Sequence, residues 1–335
     1  MSMSNEPGEF ALIDRYFRVP AEALQHARTD VALGIGDDAA LLSVPPGRQL
    51  VAAIDTLVEG RHFPSGTNPR SLGHRALAVN LSDLAAMGAE PAWFLLALTM
   101  PEVNETFLGE FSAGLLELAQ THRMALIGGD TTAGPLSVSV QVLGLVPRGQ
   151  ALLRSGARSG DLLYVSGQPG DAAAGLALEL GTTGHSACTA TQRAWLRQRF
   201  LWPTPRIALG QSLRAFASAC IDVSDGLAAD ALKLAVASGC GVQINVEQLP
   251  CSDALIAWTG LHGARQHALT GGDDYELCFT VPAAQQAAFL DHATNVKYPV
   301  TCIGFIRQQP GLSVQLQGTE LRISPRGYDH FATPE

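Results

Sequence analysis

The residues of this chain that could do chemistry are chiefly aspartates placed at the ends of apolar runs. Leu33 to Asp55 reads L-G-I-G-D-D-A-A-L-L-S-V-P-P-G-R-Q-L-V-A-A-I-D, two apolar runs joined by Pro45-Pro46-Gly47-Arg48. Proline and glycine there are turn chemistry, so the segment predicts strand, tight turn, strand. With the turn centred between Pro46 and Gly47, Val44 faces Gln49 and Asp38 faces Asp55. Like charges opposed across a ladder destabilise it. With Asp37 adjacent, a divalent cation is the simplest partner for such a cluster. The competing reading is that Gly36-Asp37-Asp38 merely starts a strand.

Further acidic positions follow. Ser71 to Gly88 has helical spacing, with Leu72, Ala76, Val79, Asp83 and Met87 on one stripe. A carboxylate on an apolar face needs a partner. A cap or a buried salt bridge would serve, but Arg75 and His74 fall elsewhere on the wheel, so metal coordination is favoured, with Asn80 one turn earlier. A strand over Ala125 to Ile127 ends in Gly128-Gly129-Asp130-Thr131-Thr132, where glycine lets backbone approach a ligand and Asp130 can hold a metal above its phosphates. Cys220 to Gly226 repeats the pattern with Asp222 and Asp225, although Ser224 or Asp225 alone could simply cap the next helix. Gly271-Gly272-Asp273-Asp274-Tyr275-Glu276 is the last acidic loop. His62, in the loop after Asp55, is a possible substrate contact or an ordinary loop residue.

One carboxylate and one phosphate charge at ~4 Å repel by about 4 kcal/mol at an effective dielectric of ~20. An aspartate-lined site therefore binds polyphosphate only through intervening cations, and magnesium suits this. These residues point to a metal-dependent site for a phosphorylated ligand. They do not choose between transfer and hydrolysis.

Composition narrows the field. The 335 residues are 47% apolar and 16% charged with net charge −9, which fits a globular protein and argues against a nucleic-acid footprint. The chain has only Lys233 and Lys297 as lysines and lacks a P-loop string. Phosphate contacts early in the chain must then come from arginine, backbone amides or metal. Six cysteines spread singly through the second half predict buried thiols in a reducing cytosol. No apolar run reaches membrane-spanning length, and Met1 to Pro7 does not read as a signal peptide. The expectation is a cytoplasmic protein without a membrane or nucleic-acid partner.

The elements that must position these residues alternate. Helices are predicted over Gly8 to Phe17, Ser71 to Gly88 and Glu105 to Gln120, with strands over Trp93 to Met100 and Leu136 to Val146. Pro147-Arg148-Gly149-Gln150 reads as a linker, placing a boundary near residue 150. Beyond it come a strand Leu162 to Ser166, helices Ala172 to Leu180, Thr191 to Phe200, one ending near Phe216 and another over Leu227 to Ala237, and strands Leu277 to Val281, near Val242 and near Thr301. The loop Gly167 to Asp171 does not match G-x-G-x-x-G and is weak evidence for phosphate binding. The predicted architecture is mixed α/β in two domains, residues 1–150 and 151–335.

Nine motifs in order then carry a resemblance. They are G-E-F from Gly8, G-I-G-D-D-A-A from Gly34, D-T-L-V-E-G-x-H-F from Asp55, A-V-N-L-S-D-L-A-A-M-G-A from Ala78, I-G-G-D-T-T from Ile127, R-S-G-A from Arg154, I-D-V-S-D-G-L from Ile221, G-G-D-D-Y-E-L from Gly271 and G-Y-D-H-F from Gly327. As a set they resemble the thiamine-monophosphate kinase family. The resemblance implies ATP-dependent phosphorylation of thiamine monophosphate to thiamine diphosphate, by direct in-line transfer with several magnesium ions. It implies the fold of aminoimidazole ribonucleotide synthetases, a homodimer formed through the N-terminal sheet, and a C-terminal domain that completes the active site. Carried over by motif, Asp38, Asp55, Asp83, Asp130, Asp222 and Asp225 hold magnesium, with Ile54 contributing backbone oxygen, and Asp130 and Asp222 are catalytic. Gly129, Arg154 and Ser224 contact ATP, and His62, Asp273 and Pro325 contact thiamine monophosphate. Three positions depart from the family pattern: Ala53-Ile54 replaces hydroxyl residues, Asp273 replaces a glutamate, and Pro325 replaces an aromatic. A selenophosphate synthetase would carry an early reactive cysteine and lysine; here the first cysteine is Cys188 and the first lysine Lys233.

Overall fold

The computed structural model describes residues 8–323, apart from 186 and 296, together with Gly327. The chain forms two compact units, one from the chain up to Leu84 with Glu90–Gly149, the other from Ala85–Ala89 with the chain from Gln150 onward. The first unit contains α1 (Glu9–Ile13), which continues through a π-helical turn at Asp14–Arg18 into α2 (Val19–His26). Then come β1 (Val31–Leu33), β2 (Leu41–Leu42), β3 (Arg48–Val58), α3 (Pro69–Ala86), β4 (Glu90–Met100), α4 (Glu105–Thr121), β5 (Ala125–Ala133) and β6 (Ser137–Pro147).

Four of these strands form a sheet in the order β3-β6-β4-β5. Burial alternates over residues 137–142 of β6 and 94–100 of β4, where Val138, Val140 and Val142 and Phe94, Leu96 and Leu98 are buried, as period-two geometry requires; residues 142–146 and 91–94 are buried continuously. The residues between them face the open side, where Ile54 is 63% exposed. Helices α3 and α4 approach closely because two glycines sit in the contact. A Cβ on Gly73 would stand 2.0 Å from the Phe111 carbonyl oxygen, and one on Gly114 1.9 Å from that of Arg70.

The predicted hairpin is not the one that forms. Arg48 N does donate to Pro45 O at 3.2 Å, so the turn exists. However, β2 pairs with β1, and β3 pairs along its whole length with β6, putting Asp55 opposite Val140 rather than Asp38. An eleven-residue partner offers a far longer ladder than the Leu41–Leu42 segment. The stripe assigned to α3 is also corrected. The helix is buried nearly all round, Arg75 included at 1% exposure, while Asp83 and Met87 are only half-buried.

The second unit contains β7 (Leu162–Ser166), α5 (Asp171–Glu179), α6 (Ala190–Leu201), α7 (Ile207–Leu213), β8 (Ala219–Val223), α8 (Leu227–Ala237), β9 (Gly241–Asn245), α9 (Asp253–Thr270), β10 (Glu276–Val281), α10 (Gln286–Asn295), β11 (Val300–Arg307), β12 (Gly311–Leu316) and β13 (Thr319–Leu321). Its seven strands are ordered β13-β12-β9-β11-β7-β10-β8, antiparallel except for β12 on β9. Strands β8 and β10 are buried along their whole length. A core of Leu163, Val165, Ile221, Val223, Leu227, Leu234 and Ile244 joins the sheet to α8.

Candidate active site

In the first unit, the loop between β1 and β2, the middle of β5 and the N-terminal helices border an open cavity of 1010 Å³. Asp37, Asp38, Ile54, Gly128, Gly129 and Asp130 line it, with Phe10, Phe17 and Arg18. Asp37 Oδ1 accepts from Asp38 N at 2.8 Å, a local turn that holds the two carboxylates at one edge. On β5 the backbone comes very close to β4: a Cβ on Gly129 would lie 1.9 Å from Leu96 O. Only glycine permits that approach. Asp130 follows directly and is exposed.

Register places the other carboxylates of this unit. The row Thr56, Ser139, Ala97, Asp130 shares the open face, and Thr56 Oγ1 and Ser139 Oγ bond at 2.7 Å there. The neighbouring row is Asp55, Val140, Leu96, Gly129, so Asp55 takes the helix-covered side. Asp55 and Asp130 are thus on opposite faces and at opposite edges of the sheet, three strand spacings or ~14 Å apart. A residue to which sequence reasoning gives no role of its own fixes the Asp55 end. Buried Asn80 of α3 accepts from Asp55 N at 2.9 Å and donates to Ala76 O at 3.0 Å. It ties β3 to the helix that carries Asp83. His62 is oriented as well, its Nδ1 accepting from Val58 N at 3.0 Å, which leaves the ring proton on Nε2.

In the second unit, Asp222 lies one residue before the end of β8, buried and opposite Leu277. The loop after it is held from below. Asp230, 1% exposed on α8, accepts from both Ser224 N and Asp225 N at 3.0 Å. Lys233 Nζ donates to Asp230 Oδ1 at 2.8 Å and also contacts Asp225. Burial raises the Asp230 carboxyl above its usual range, while hydrogen bonds from Lys233 and from Asp225 N act against it. A carboxylate that accepts three donors and gives none is ionised. Burial also pulls on Lys233, but its bonds to Asp225 and Asp230 outweigh that and hold the ammonium above its ordinary value.

The loop from Gly271 separates three acidic residues. Asp273 N donates to Ser224 O at 2.9 Å, and Asp273 Oδ1 accepts from Tyr275 OH at 3.1 Å. Asp274 is buried and accepts from Gly170 N at 2.9 Å. Glu276 is buried between Arg206 Nε at 2.6 Å and Arg199 Nη2 at 3.1 Å, with Ser166 Oγ at 2.6 Å. Asp274 and Glu276 hold the fold rather than a ligand. The signal for Glu276 is present in the chain, a charged residue opening the apolar run E-L-C-F-T-V. Arg154 is exposed, and Pro325 lies outside the described residues, as does most of the motif that begins at Gly327.

Among the described residues, no group of three or more His, Cys, Asp and Glu side chains converges to hold a metal by itself. The three-carboxylate cluster expected at the hairpin end is therefore not formed. Magnesium is commonly held by one or two carboxylates with substrate phosphate and water. Asp38 and Asp130 beside the close-packed Gly129 backbone, and Asp222 with Asp225, fit that kind of binding rather than a closed protein cage.

Residues 36–146 match the N-terminal domain, and residues 158–317 the C-terminal domain, of AIR synthase related proteins. The thiamine-monophosphate kinase of Salmonella typhimurium is 49% identical over 328 residues, spanning 98% of this chain and 99% of its own. That of Bacillus subtilis is 37% identical, spanning 96% and 99%. Among solved structures, thiamine-monophosphate kinase from Stenotrophomonas maltophilia superposes with a TM-score of 0.84 at 48% identity, over 93% of this chain and 97% of that one. A structure described as AaThiL complexed with AMPPCP and TMP superposes with a TM-score of 0.76 at 33% identity, over 97% of each. Matches of this extent across both units show that the chain belongs to the AIR synthase related family and, within it, to the thiamine-monophosphate kinases.

Proposed function

We propose that this chain transfers the γ-phosphoryl group of ATP to thiamine monophosphate, giving thiamine diphosphate and ADP. The observation that carries the reading is the paired set of acidic loops with a glycine-lined approach at Gly128-Gly129, in a chain 49% identical to a kinase of that name. The acceptor is a phosphate already ionised at neutral pH, so the protein needs no base to activate it, and direct in-line attack suffices. Magnesium bound with the nucleotide supplies the positive charge that lets carboxylates and phosphates share a site.

Asp38 and Asp130 would hold that cation in the first unit, and Asp222 and Asp225 in the second. Asp55, Ile54 and Asp83 complete the proposed ligands, with Asn80 holding the backbone of Asp55. Gly129, Arg154 and Ser224 would meet ATP. His62 and Asp273 would meet thiamine monophosphate, as would Pro325. We assign residues 1–150 to nucleotide and metal binding and to pairing with a second copy.

The open face of the first sheet supports a homodimer, since Leu50 and Ile54 are 48% and 63% exposed on it. Six cysteines without disulfides fit a reducing cytoplasm, and among the described residues no helix is long and apolar enough to cross a membrane.

The test is product formation by mass spectrometry from ATP, magnesium and thiamine monophosphate, with free thiamine and no acceptor as controls. Thiamine diphosphate forms only with thiamine monophosphate; ADP released equally in all three mixtures would instead indicate hydrolysis.

A further inference from the structure

The second unit already holds a cation at one of its proposed metal ligands. Lys233 Nζ contacts Asp225 Oδ2 and lies 2.8 Å from Asp230 Oδ1. The two acids differ in what they can give up. Asp230 is 1% exposed and bound to the Ser224 and Asp225 amides, so its place is fixed by backbone. Asp225 and Lys233 have side chains 34% and 42% exposed, open enough for the pair to part in water. A lysine on a flexible stem with two anchors can leave one and keep the other.

We propose that Lys233 is a positioning residue, a built-in counter-ion that holds Asp225 in the absence of metal and yields it to the incoming divalent cation while staying on Asp230. The proposal rests on the reading of Asp225 as a metal ligand. It makes two predictions about chemistry. Before metal arrives, the charge on Asp225 is neutralised and the loop from Ser224 to Gly226 is held in its binding shape. Metal must then compete with an ammonium, so Lys233 raises the divalent-cation concentration that the protein requires. Exposed ion pairs of this kind are weak, which sets the size of the competition at about two- to fivefold in affinity.

The experiment is a titration of Mn2+ by electron paramagnetic resonance against the full chain with a non-hydrolysable ATP analogue. Lys233→Gln removes the charge and retains a donor for Asp230, and Lys233→Met retains the aliphatic stem; both are read, so that failure of one to fold leaves the other. Each is expected to tighten the weakest class of Mn2+ site about two- to fivefold, and to change nothing when combined with Asp225→Asn. An equal gain in the Asp225→Asn background would show a general field effect and overturn the proposal, as would no gain or a weakened site. Asp225→Asn alone, with Mn2+ binding unchanged, would remove the metal assignment of Asp225 itself, and that result is visible without any lysine variant.

Discussion

The acidic residues of the two units live under different physical conditions. In the first unit, Asp37, Asp38 and Asp130 are exposed around an open cavity. In the second, Asp171, Asp230, Asp274 and Glu276 are at most 1–2% exposed, and each is tied to donors. An exposed carboxylate keeps its hydration, whereas a buried one survives only by being fully bonded. The difference separates acids open to solvent from acids bonded into the fold, and the loop from Gly271 contains both, half-buried Asp273 beside buried Asp274 and Glu276. Sequence proximity alone does not tell them apart.

This contrast can be broken at its strongest point first. Glu276→Ala leaves Arg199 and Arg206 around an empty buried position and is expected to cost about 3–5 kcal/mol of stability. Urea unfolding measures it, and a loss below about 1 kcal/mol would show that the pair is not structural. Asp130→Asn is the converse. Its expected effect is on turnover, a fall of about 10²–10³ in kcat, with the thermal midpoint held close to the parent because the side chain is exposed. A large drop in midpoint with kcat retained would place Asp130 among the structural acids.

Asn80 tests whether the backbone of Asp55 needs its clamp. Asn80→Ala removes two hydrogen bonds in a buried setting, so about 1–3 kcal/mol of stability is expected to be lost, accompanied by faster amide exchange at Asp55. Unchanged exchange there would show that pairing with β6 suffices.

Asp274 sharpens the comparison through pH. Burial pushes its carboxyl well above the ordinary value, with Glu276 and Asp171 adding to the shift and the Gly170 and Ala172 amides opposing it. A folded pKa above the unfolded one means the folded protein binds the proton more tightly. The stabilisation is complete below about pH 4, the unfolded value, and is lost as pH rises through the folded pKa. Asp274→Asn cannot titrate, so its stability relative to the parent is expected to improve as pH rises across that window. Urea midpoints that fall in parallel for both proteins would assign the slope to other groups.

Much of the fold is legible in the chain's residue types and spacing, and the places where that reading fails share a cause. Strand β7 and helix α8 fall where periodicity and turn chemistry put them, since both are set by neighbours a few residues away. The Gly128 to Thr132 segment stands out by composition and lines the cavity as far as Thr131, although the strand runs through it instead of ending there. Strands β12 and β13 and helices α9 and α10 have no counterpart among the predicted elements. The hairpin fails because local turn residues say only that the chain reverses, and β3 finds its partner in β6, some ninety positions later. Asp83 is predicted from an amphipathic stripe, but α3 is covered on nearly every side, and a wheel has no face to report in such a helix.

By itself the sequence determined the class of chemistry: aspartates at element ends, glycines where backbone must come close, few lysines, and motifs in the order of one kinase family. Those are properties of residue type and short spacing, which survive without coordinates. Tertiary structure alone decided which acids are buried and bonded, that Asp55 and Asp130 lie on opposite faces, and that Lys233 reaches Asp225 and Asp230 together. Burial and register arise from contacts between residues far apart in the chain, where a shift of one position turns every side chain of a strand to the other face.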